Sequence, residues 1–289
     1  MNKLIALQKV VELGSFSKAT RALGYTQSAI SQMILSFENE LAIKLIHRSR
    51  NGAKLTPEGK KLFPYLTQVN YRYQLFIEKC NEVKGLESGV IRIGTISSIT
   101  CYWLPQLIKD FQKKYPNVQF VFHQGDYTSI EEWIKIGAVD FGFIAPDAAR
   151  EIETLPLKNG EMLAVLAENH PLATMNEIPL SLLSKEPFIL LEEGHYSEPL
   201  NAFQKEGLEM NTTLTLHDDY AIMTMIEAGL GVSVLAELIL QRMDFNIIAR
   251  PTLPRITRTI GLGYKDRNSL PIASQYFIDF ILDHVDSLK

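Results

Sequence analysis

Apolar positions near the start of the chain recur with the period of an α-helix, in segments separated by short polar breaks. The first predicted helix spans residues 2–13 and ends at Gly14. Its apolar face consists of Leu4, Leu7, Val10 and Val11. A short second helix is predicted over 18–23, with Ser15 or Ser17 as its N-cap.

A third predicted helix, from the N-cap Thr26 to Leu41, divides into an apolar stripe and an arc of mostly small or neutral polar side chains. The stripe consists of Ile30, Ile34, Phe37 and Leu41. The opposite arc consists of Ser28, Ser31, Gln32, Leu35 and Asn39. Two short helices joined by a glycine-containing turn predict a helix-turn-helix. The arc suits the DNA major groove, where Gln pairs with adenine and an apolar side chain contacts a thymine methyl. The alternative is an uncharged exposed face in a small bundle.

Residues 47–56, HRSRNGAKLT, place basic side chains around an Asn-Gly pair. Asn-Gly is a strong signal for a hairpin turn. A basic two-stranded wing beside a helix-turn-helix is expected to contact phosphates or the minor groove, through Arg48, Arg50 and Lys54. The alternative is an ordinary solvated hairpin.

Further along, apolar residues repeat in alternating steps of four and three, a pattern called the heptad seam below. The seam consists of Leu62, Leu66, Val69, Tyr73, Phe76, Cys80 and Val83. It predicts a dimerisation helix, and a dimer places two recognition helices about 34 Å apart on DNA. Pro57 suits a first helical turn, whereas Pro64 predicts a kink or a helix start nearby. The alternative is a long amphipathic helix packed on its own body.

From residue 90, strand-like apolar segments alternate with amphipathic helices. Strands at 90–96, 118–123 and 140–145, with helices at 104–115 and 130–137, predict a βαβαβ unit with a parallel sheet. Later strands are predicted at 161–167, 188–191, 213–217, 231–236, 246–249 and 258–265. Later helices are predicted at 198–207, 219–229, 236–242 and 272–285. This number of strands favours two small α/β lobes, with crossings predicted near 145–160 and 266–271.

Hydroxyl side chains follow the first of these strands where it leads into a helix. They are Thr95, Ser97, Ser98 and Thr100. Ligands bind at the carboxyl ends of strands in open α/β sheets, and helix N-termini favour anions such as carboxylates. Plain helix capping is an equal alternative. Elsewhere, Glu192, Glu193 and His195 either suit an amino group on a ligand or are simply solvated.

Charge is distributed unevenly along a chain of otherwise ordinary composition, 46% hydrophobic and 21% charged in 289 residues. Residues 1–60 carry nine Lys and Arg against four Asp and Glu, which is net +5. The whole chain is net −4, so the remainder is net −9. A basic head on an acidic body favours a nucleic-acid partner for the head.

Several classes of function lack the motifs that they need. The sequence has no G-x-S-x-G, P-loop, H-E-x-x-H or metal-spaced His cluster, so we expect no catalytic residues, no metal site and no cofactor. Cys80 and Cys101 have neither zinc nor disulfide spacing. No apolar run approaches the roughly 20 residues of a membrane span, and no signal peptide is recognisable. We therefore expect a cytoplasmic protein with no membrane partner.

Residues 4–60 resemble the winged helix-turn-helix of LysR-type transcriptional regulators. The matching motifs are Gly14-Ser15-Phe16, Thr26-Gln27-Ser28-Ala29-Ile30-Ser31, Phe37-Glu38-Asn39-Glu40-Leu41, Arg48 and Leu55-Thr56-Pro57-Glu58-Gly59. The expected DNA contacts are Thr26, Gln27, Ser28, Ser31, Gln32, Leu35, Arg48, Arg50 and Lys54. There are three departures: Thr26 replaces the usual Ser, Ile46 replaces Phe, and Leu35 occupies a position that is often basic. The last change removes a base or phosphate contact and leaves the sequence preference open.

The resemblance continues, less specifically, through RIGT at 92–95, GAVDFGF at 137–143, the His170-Pro171-Leu172 step and IEAGLGVSVL at 226–235. It implies a multi-domain protein with an all-α winged helix-turn-helix head, a long linker helix and an α/β two-lobed body like periplasmic binding proteins. The expected domains are 1–60 for DNA binding, 61–88 for dimerisation and 89–289 for effector binding. Lobe I is expected at about 89–160 and 267–289, and lobe II at about 161–266.

By the same resemblance, a small-molecule effector binds between the lobes. Its expected contacts are Thr95, Ser97, Ser98, Thr100, Thr128, Gly194 and His195. The expected partners are double-stranded DNA, an effector of unknown identity, RNA polymerase and further copies of the chain, in a dimer or tetramer. The primary hypothesis is a sequence-specific transcriptional regulator modulated by that effector. The alternatives are a ligand-insensitive DNA-organising protein, and an α/β ligand-binding or enzymatic protein whose head contacts other proteins.

Overall fold

A computed structural model describes residues 2–49, 52–83, 89–241 and 244–288. The side chains of residues 48, 49, 78, 79 and 81–83 are not part of that description. The chain forms two compact units, Met1–Cys80 with Ile136–Ala138, and Asn81–Lys135 with Val139–Lys289. They are called the head and the body below. No helix within the described ranges is long and apolar enough to cross a membrane.

Three helices open the head: α1 (Asn2–Glu12), α2 (Phe16–Leu23) and α3 (Gln27–Leu41). The Ser15 side chain caps α2 by accepting the backbone N–H of Lys18, and Thr26 caps α3 by accepting that of Ala29 at 3.2 Å. Gly24 ends α2 in the left-handed region, with φ 69°, which glycine adopts without strain. The predicted helix-turn-helix is confirmed, and Ser15 rather than Ser17 is the cap.

The core of the head is built from the apolar faces of these helices and the strand that follows. Its buried members include Ala6, Leu7, Val10, Ala19, Ile30, Ile34 and Leu45. Leu41 was expected in the buried stripe of α3 but is 40% exposed, because it is the last helical residue and the chain turns away at Ala42 with φ 52°. Glu38 is buried in this part of the helix instead.

The wing is an antiparallel hairpin of β1 (Ile46–Ser49) and β2 (Gly52–Leu55), with Ser49 opposite Gly52. This confirms the predicted hairpin. The turn was predicted at Asn51-Gly52, but Gly52 lies in β2, whereas Asn51 and the neighbouring Arg50 lie outside the described residues. The side chain of Arg48 is also outside them, although its backbone lies opposite Ala53.

A single helix, α4 (Pro57–Val83), follows the wing. The Thr56 hydroxyl accepts the backbone N–H of Gly59 at 2.9 Å and donates to the Lys44 carbonyl at 2.7 Å, which fixes where the helix begins. Pro64 lies inside α4, so of the two alternatives predicted there, a kink or a helix start, the helix start is wrong. The chain had already entered the helix at Pro57, which suits a first turn because it lacks the N–H that would be unpaired there.

The body combines short helices with a mixed sheet. Its strands are β3 (Val90–Thr95), β4 (Gln119–Gln124), β5 (Phe141–Ile144), β6 (Glu153–Ala167), β7 (Ile178–Pro179), β8 (Phe188–Leu191), β9 (Thr212–Leu216), β10 (Ser233–Ala236) and β11 (Ile247–Tyr264). Its helices are α5 (Ser97–Tyr102), α6 (Leu104–Lys114), α7 (Tyr127–Ile136), α8 (Leu180–Leu183), α9 (Glu198–Lys205), α10 (Asp219–Glu227), α11 (Glu237–Leu240) and α12 (Ile272–Asp283). The sheet order is β10-β6-β11-β5-β3-β4, with β7 beside β11, while β8 and β9 pair separately. Parallel pairing of β3 with β4 and β5 confirms the predicted βαβαβ unit.

Among the described residues, three buried apolar clusters form the cores of the body, one in lobe I and two in lobe II, and the lobes share the long strands β6 and β11. Lobe I surrounds residues such as Ile93, Phe141, Leu262 and Phe277. Lobe II surrounds residues such as Met162, Phe188, Val234 and Ile256. The C-terminal helix α12 therefore packs in lobe I, with the first strands of the body.

The predicted separate strands at 246–249 and 258–265 are one strand, β11. A register shift between Pro251 and Ile256 interrupts its pairing with β6, and the prolines there break the apolar pattern without ending the strand. The chain passes from the lobe II core at Ile256 to the lobe I core at Ile260. The second crossing thus lies inside β11 and not at 266–271, because a strand that crosses leaves no Gly or Pro loop in the sequence.

Candidate functional site

The face of α3 predicted to meet DNA is turned to solvent. Thr26, Gln27, Ser28, Gln32, Leu35 and Asn39 are exposed, and Ser31 is half-buried. The apolar Leu35 is 45% exposed. The face therefore presents hydroxyls, amides and one aliphatic side chain, with no charged residue among them.

A groove of about 590 Å³ runs beside this face, bordered by β1 and the chain leading into it. Its lining consists of Ser31, Gln32, Leu35, Glu38, Lys44, Ile46 and His47. Lys44 and His47 are exposed residues that the sequence reasoning missed. Their position just before Arg48 extends the basic segment of the wing. This continuation of the basic segment is the sequence feature that could have identified them as groove residues.

The groove has a fixed wall because a buried carboxylate joins α3 to β1. Glu38 is 6% exposed, and its Oε1 accepts the backbone N–H groups of Leu45 at 2.7 Å and Ile46 at 3.1 Å. Its Oε2 lies 3.6 Å from the Nζ of the exposed Lys44. Glu38 therefore sets the position of the wing relative to α3.

The wing carries the remaining predicted DNA contacts. Lys54 is exposed on β2, directly opposite His47 on β1. Arg50 and the side chain of Arg48 lie outside the described residues, so their DNA contacts stay predictions.

In the body, a cleft of about 270 Å³ opens where the ends of strands from both lobes meet. It is lined by Ile96, Ser97, Ser98, Gln124, Gly125, Asp126, Tyr127, Leu191, Glu192, Glu193, His217, Asp219 and Arg258. Ser97 and Ser98, at the start of α5, are predicted contacts that lie in this lining. The volume is just below the range of about 300–1,000 Å³ that is typical of ligand pockets. The cleft therefore has room for a ligand at the small end of that range.

Arg258 and Asp219 are lining residues that the sequence reasoning missed. Arg258 is 7% exposed on β11, and its Nη2 donates to the Ser98 Oγ at 3.0 Å. Asp219 is 8% exposed at the first turn of α10. Neither lies next to a recognisable motif, and only the tertiary structure brings them to the same cleft as Ser98.

Burial and mutual repulsion disfavour ionisation of the carboxyls in this region. Burial, followed by the charge of Glu198, raises the pKa of Glu193 well above its ordinary value. Burial also raises the pKa of Glu198 and of Asp219, although the positive charge of Arg258 acts in the opposite direction. Burial first, then Glu193, raises the pKa of Tyr127 as well. The inner wall of the cleft thus has an excess of acidic groups over basic ones.

The other predicted effector contacts lie outside the lining. The Thr100 hydroxyl contacts that of the buried Thr95 at 3.1 Å, so both are engaged within lobe I. Thr128, at the start of α7, accepts the backbone N–H of His195 at 2.9 Å and contacts the His195 Nδ1 at 2.6 Å. The His195 Nε2 contacts the Ala148 carbonyl at 2.8 Å. His195 therefore links the loop after β8 to lobe I, and the role of these residues with an effector stays a prediction.

Gly194 permits this link. It has φ +84°, and a Cβ atom there would lie 2.2 Å from the Thr128 Oγ1. Only glycine brings the loop this close to α7. Across the described ranges, no cluster of three or more His, Cys, Asp or Glu side chains has an arrangement that could hold a metal ion.

Both units match family models. Residues 1–60 match the model described as bacterial regulatory helix-turn-helix protein, lysR family, and residues 84–286 match the LysR substrate binding domain. The uncharacterized HTH-type transcriptional regulator YvbU of Bacillus subtilis is 33% identical over 282 residues, which cover 96% of each chain.

Solved structures share the fold. Full-length OxyR from Pseudomonas aeruginosa superposes with a TM-score of 0.71 at 21% identity, covering 99% of this chain and 97% of that one. The effector binding domain of QuiR, solved in complex with shikimate, gives a TM-score of 0.63 at 24% identity, covering 69% of this chain and 98% of that domain.

Proposed function

The chain belongs to the lysR family of helix-turn-helix transcriptional regulators, and we propose that it recognises its DNA site through the exposed face of α3. In this proposal, Ser28, Ser31 and Gln32 contact base edges and Leu35 contacts a thymine methyl. Thr26 and Gln27, at the start of α3, lie against the DNA backbone. Arg48, Arg50 and Lys54 of the wing contact phosphates or the minor groove.

The observation that supports this assignment is the chemistry of the exposed face. Solvated helix faces ordinarily carry Glu and Lys, whereas this one carries groups that donate and accept hydrogen bonds without charge. Such groups discriminate between bases, whereas Lys and Arg contacts to phosphates mainly set affinity and register. Lys44 and His47 border the same groove, so we add them as contacts to the DNA backbone.

The test is fluorescence anisotropy of the full-length protein on DNA from upstream of its own gene, with random DNA as competitor, across a salt series. We expect binding that resists the competitor and weakens steeply with salt, because phosphate contacts release counterions. Equal binding to random DNA would favour the DNA-organising alternative. No binding at any salt concentration would remove the proposed role of α3.

In the body, the proposed effector site is the 270 Å³ cleft, with Ser97, Ser98 and Arg258 as contacts. The shikimate complex of QuiR supports a small polar molecule for this fold. The other predicted contacts support the walls of the cleft, and in this proposal they contact the effector only if the lobes move. They are Thr95, Thr100, Thr128, Gly194 and His195. An effector that binds one arrangement of the lobes more tightly shifts the population towards it.

The division of labour in this proposal is DNA binding by 1–60, dimerisation by 61–88 and effector binding by 89–289. Dimerisation is supported by the heptad seam, in which Val69 is 48% and Phe76 62% exposed within one chain. Exposed apolar side chains at heptad spacing are typical of coiled-coil partners. Assembly into a tetramer and contact with RNA polymerase belong to the same proposal and rest on family membership. With DNA as its partner, the protein acts in the cytoplasm.

A further inference from the structure

The helix proposed to read DNA, α3, carries no basic side chain. None of its residues from Gln27 to Leu41 is Lys, Arg or His. In the major groove, guanine is most often recognised by Arg or Lys, whose donors meet its O6 and N7 atoms. Because these donors are missing from α3, the helix lacks the usual means of selecting guanine.

The two acidic side chains of α3 are engaged within the head. Glu38 is 6% exposed, and its Oε1 accepts two backbone N–H groups at the start of β1. Glu40 forms an ion pair with Lys3 of α1, whose Nζ also donates to the Ser36 Oγ at 2.9 Å. Glu and Asp are the side chains that accept from the N4 amino group of cytosine. The helix therefore offers neither of the charged readers that are typical of a G·C pair.

The basic residues beside α3 belong to the proposed contacts with phosphates or the minor groove. The Nζ of Lys44 lies 3.6 Å from the Glu38 Oε2, so a carboxylate of the helix balances its charge. His47 lies on β1, directly opposite Lys54 on β2, and both are part of the wing. Base edges in the minor groove separate A·T from G·C pairs only. The choice of base in the major groove thus falls to α3.

The exposed face of α3 carries side chains that suit adenine and thymine. Gln32 is exposed in the lining of the groove, and its amide makes no hydrogen bond within the described part of the chain. A Gln amide pairs with the N6 and N7 atoms of adenine. Leu35 follows in the same lining and is 45% exposed. An aliphatic side chain in this place suits the 5-methyl group of thymine, which the other bases lack.

We infer that α3 selects a run of A·T base pairs without guanine, and that Leu35 specifies thymine through its 5-methyl group. This inference rests on the proposed role of α3 in DNA recognition. Ser28, Gln32 and Leu35 are spaced by four and three residues, which places them on one side of the helix over about 10 Å. At about 3.4 Å per base pair, this length covers about three consecutive pairs in each half-site.

The test is selection of binding sites from a random DNA library by the full-length protein, followed by sequencing. The pairs read by α3 are identified as those whose base preference is lost in Gln32→Ala or Leu35→Ala. We expect these pairs to be adjacent and to be A·T. A preference for guanine or cytosine at a position governed by either residue overturns the inference.

Uracil in place of thymine tests the contact of Leu35 directly, because it removes the methyl group and keeps the hydrogen-bonding edges. At the thymine governed by Leu35, uracil should weaken binding about fourfold, the factor for one buried methyl-sized group. In Leu35→Ala the same replacement should change affinity little. Leu41→Ala is the matched control, since Leu41 is 40% exposed on α3 but lies outside the groove lining, and it should keep the fourfold effect. An effect of uracil that is absent in the wild type, or unchanged in Leu35→Ala, overturns the thymine contact.

Leu35→Arg tests the same position by gain of function. The substitution supplies the guanine donors that α3 lacks, so this variant should prefer guanine at the position of the former thymine by at least about fivefold. Leu41→Arg adds the same charge outside the groove lining and should select the same sites as the wild type. If Leu35→Arg also selected unchanged sites, Leu35 would not determine the base.

The selection separates failure of the inference from failure of the proposed function. A defined site that contains G·C pairs governed by Gln32 or Leu35 would overturn the base class and keep α3 as the reader. A defined site that is unchanged by substitution of either residue would reject α3 as the reader, and the inference with it. Binding without enrichment of any sequence would reject sequence-specific recognition altogether.

Discussion

The Oε1 of Glu38 accepts the backbone N–H of Leu45 at 2.7 Å, and this bond holds the entrance of the wing against α3. A neutral amide is a weaker acceptor than a carboxylate and would turn an N–H group towards a donor. We predict that Glu38→Gln destabilises the wing by about 1–3 kcal/mol and weakens binding to specific and random DNA alike. Anisotropy and thermal unfolding check this. Glu40→Gln, an exposed change on the same helix, is the control, and equal effects of the two would contradict the positioning role.

Gln32 and Lys54 are predicted to contribute to DNA binding in different ways. Gln32→Ala should cost about 1–3 kcal/mol at the preferred site and little on random DNA, because a bidentate base contact is lost. Lys54→Ala should weaken binding to all sequences and reduce the slope against log salt by about one, because one phosphate contact is lost. Competition anisotropy over a salt series measures both. If Gln32→Ala lowered both affinities equally, Gln32 would not contact a base.

Phe76 is the test position for the heptad seam, since it is 62% exposed on α4. We expect Phe76→Glu to weaken dimerisation by about 2 kcal/mol or more, over tenfold in the dissociation constant, because it places a charge in an apolar contact. Light scattering coupled to size exclusion reports the mass. Gln74→Glu introduces the same charge off the seam and should remain dimeric. An unchanged mass for Phe76→Glu would indicate that the seam is not the interface.

Glu193 is predicted to make the stability of the body depend on pH. Because burial and Glu198 raise its pKa, the folded state holds the proton more tightly than the unfolded chain does. The contribution of Glu193 to the free energy of unfolding is complete below about pH 4.5, the ordinary pKa of a glutamate, and it is lost as pH rises through the raised pKa. Glu193→Gln removes this loss of stability, so the free energy of unfolding of the variant should increase by about 1–3 kcal/mol relative to the wild type as pH rises.

Thermal unfolding between about pH 5 and pH 8 tests this, at about 2–4 °C per kcal/mol for a domain of this size. The groups around Glu193 that also titrate or carry charge are Tyr127, Asp126, Glu192, Glu198, His217, Asp219 and Arg258. Because these remain, the pH dependence should decrease without disappearing. Glu209→Gln should behave as wild type at every pH, and a Glu193→Gln variant that is less stable at pH 8 would refute the prediction.

Gly194 and Gly207 form a matched pair for the link between the loop after β8 and α7. Both have positive φ, +84° and +68°, but a Cβ atom at Gly194 would meet the Thr128 Oγ1 at 2.2 Å, whereas one at Gly207 meets nothing within 4 Å. We expect Gly207→Ala to cost about 1–2 kcal/mol from backbone strain alone. Gly194→Ala should cost about 2–5 kcal/mol, because overpacking adds to the strain. Equal losses in chemical denaturation would show that the contact with Thr128 contributes nothing.

Local patterns in the sequence determined most of the head. The Thr26 cap, the 3.6-residue stripe of Ile30 and Ile34, and the Asn-Gly signal of the hairpin all act over a few residues, so each can be recognised without the fold. The alternation of strands and helices in the body is equally local, and it predicted the parallel βαβαβ unit. Glu38 was missed as a buried group because its partners, Leu45 and Ile46, lie beyond the helix that contains it.

Tertiary structure decided the chemistry of the cleft. Arg258 and Ser98 are separated by 160 positions, and Asp219 reaches the same cleft from a different lobe. No periodicity or motif in the sequence predicts that these residues lie close together, because their proximity depends on where β11 passes from one lobe to the other. Glu193 was noted in the sequence as either a ligand contact or a solvated residue, and only its burial distinguishes the two. Sequence therefore determined the elements and the uncharged polar face of α3, whereas long-range packing determined which ionisable groups meet in the cleft.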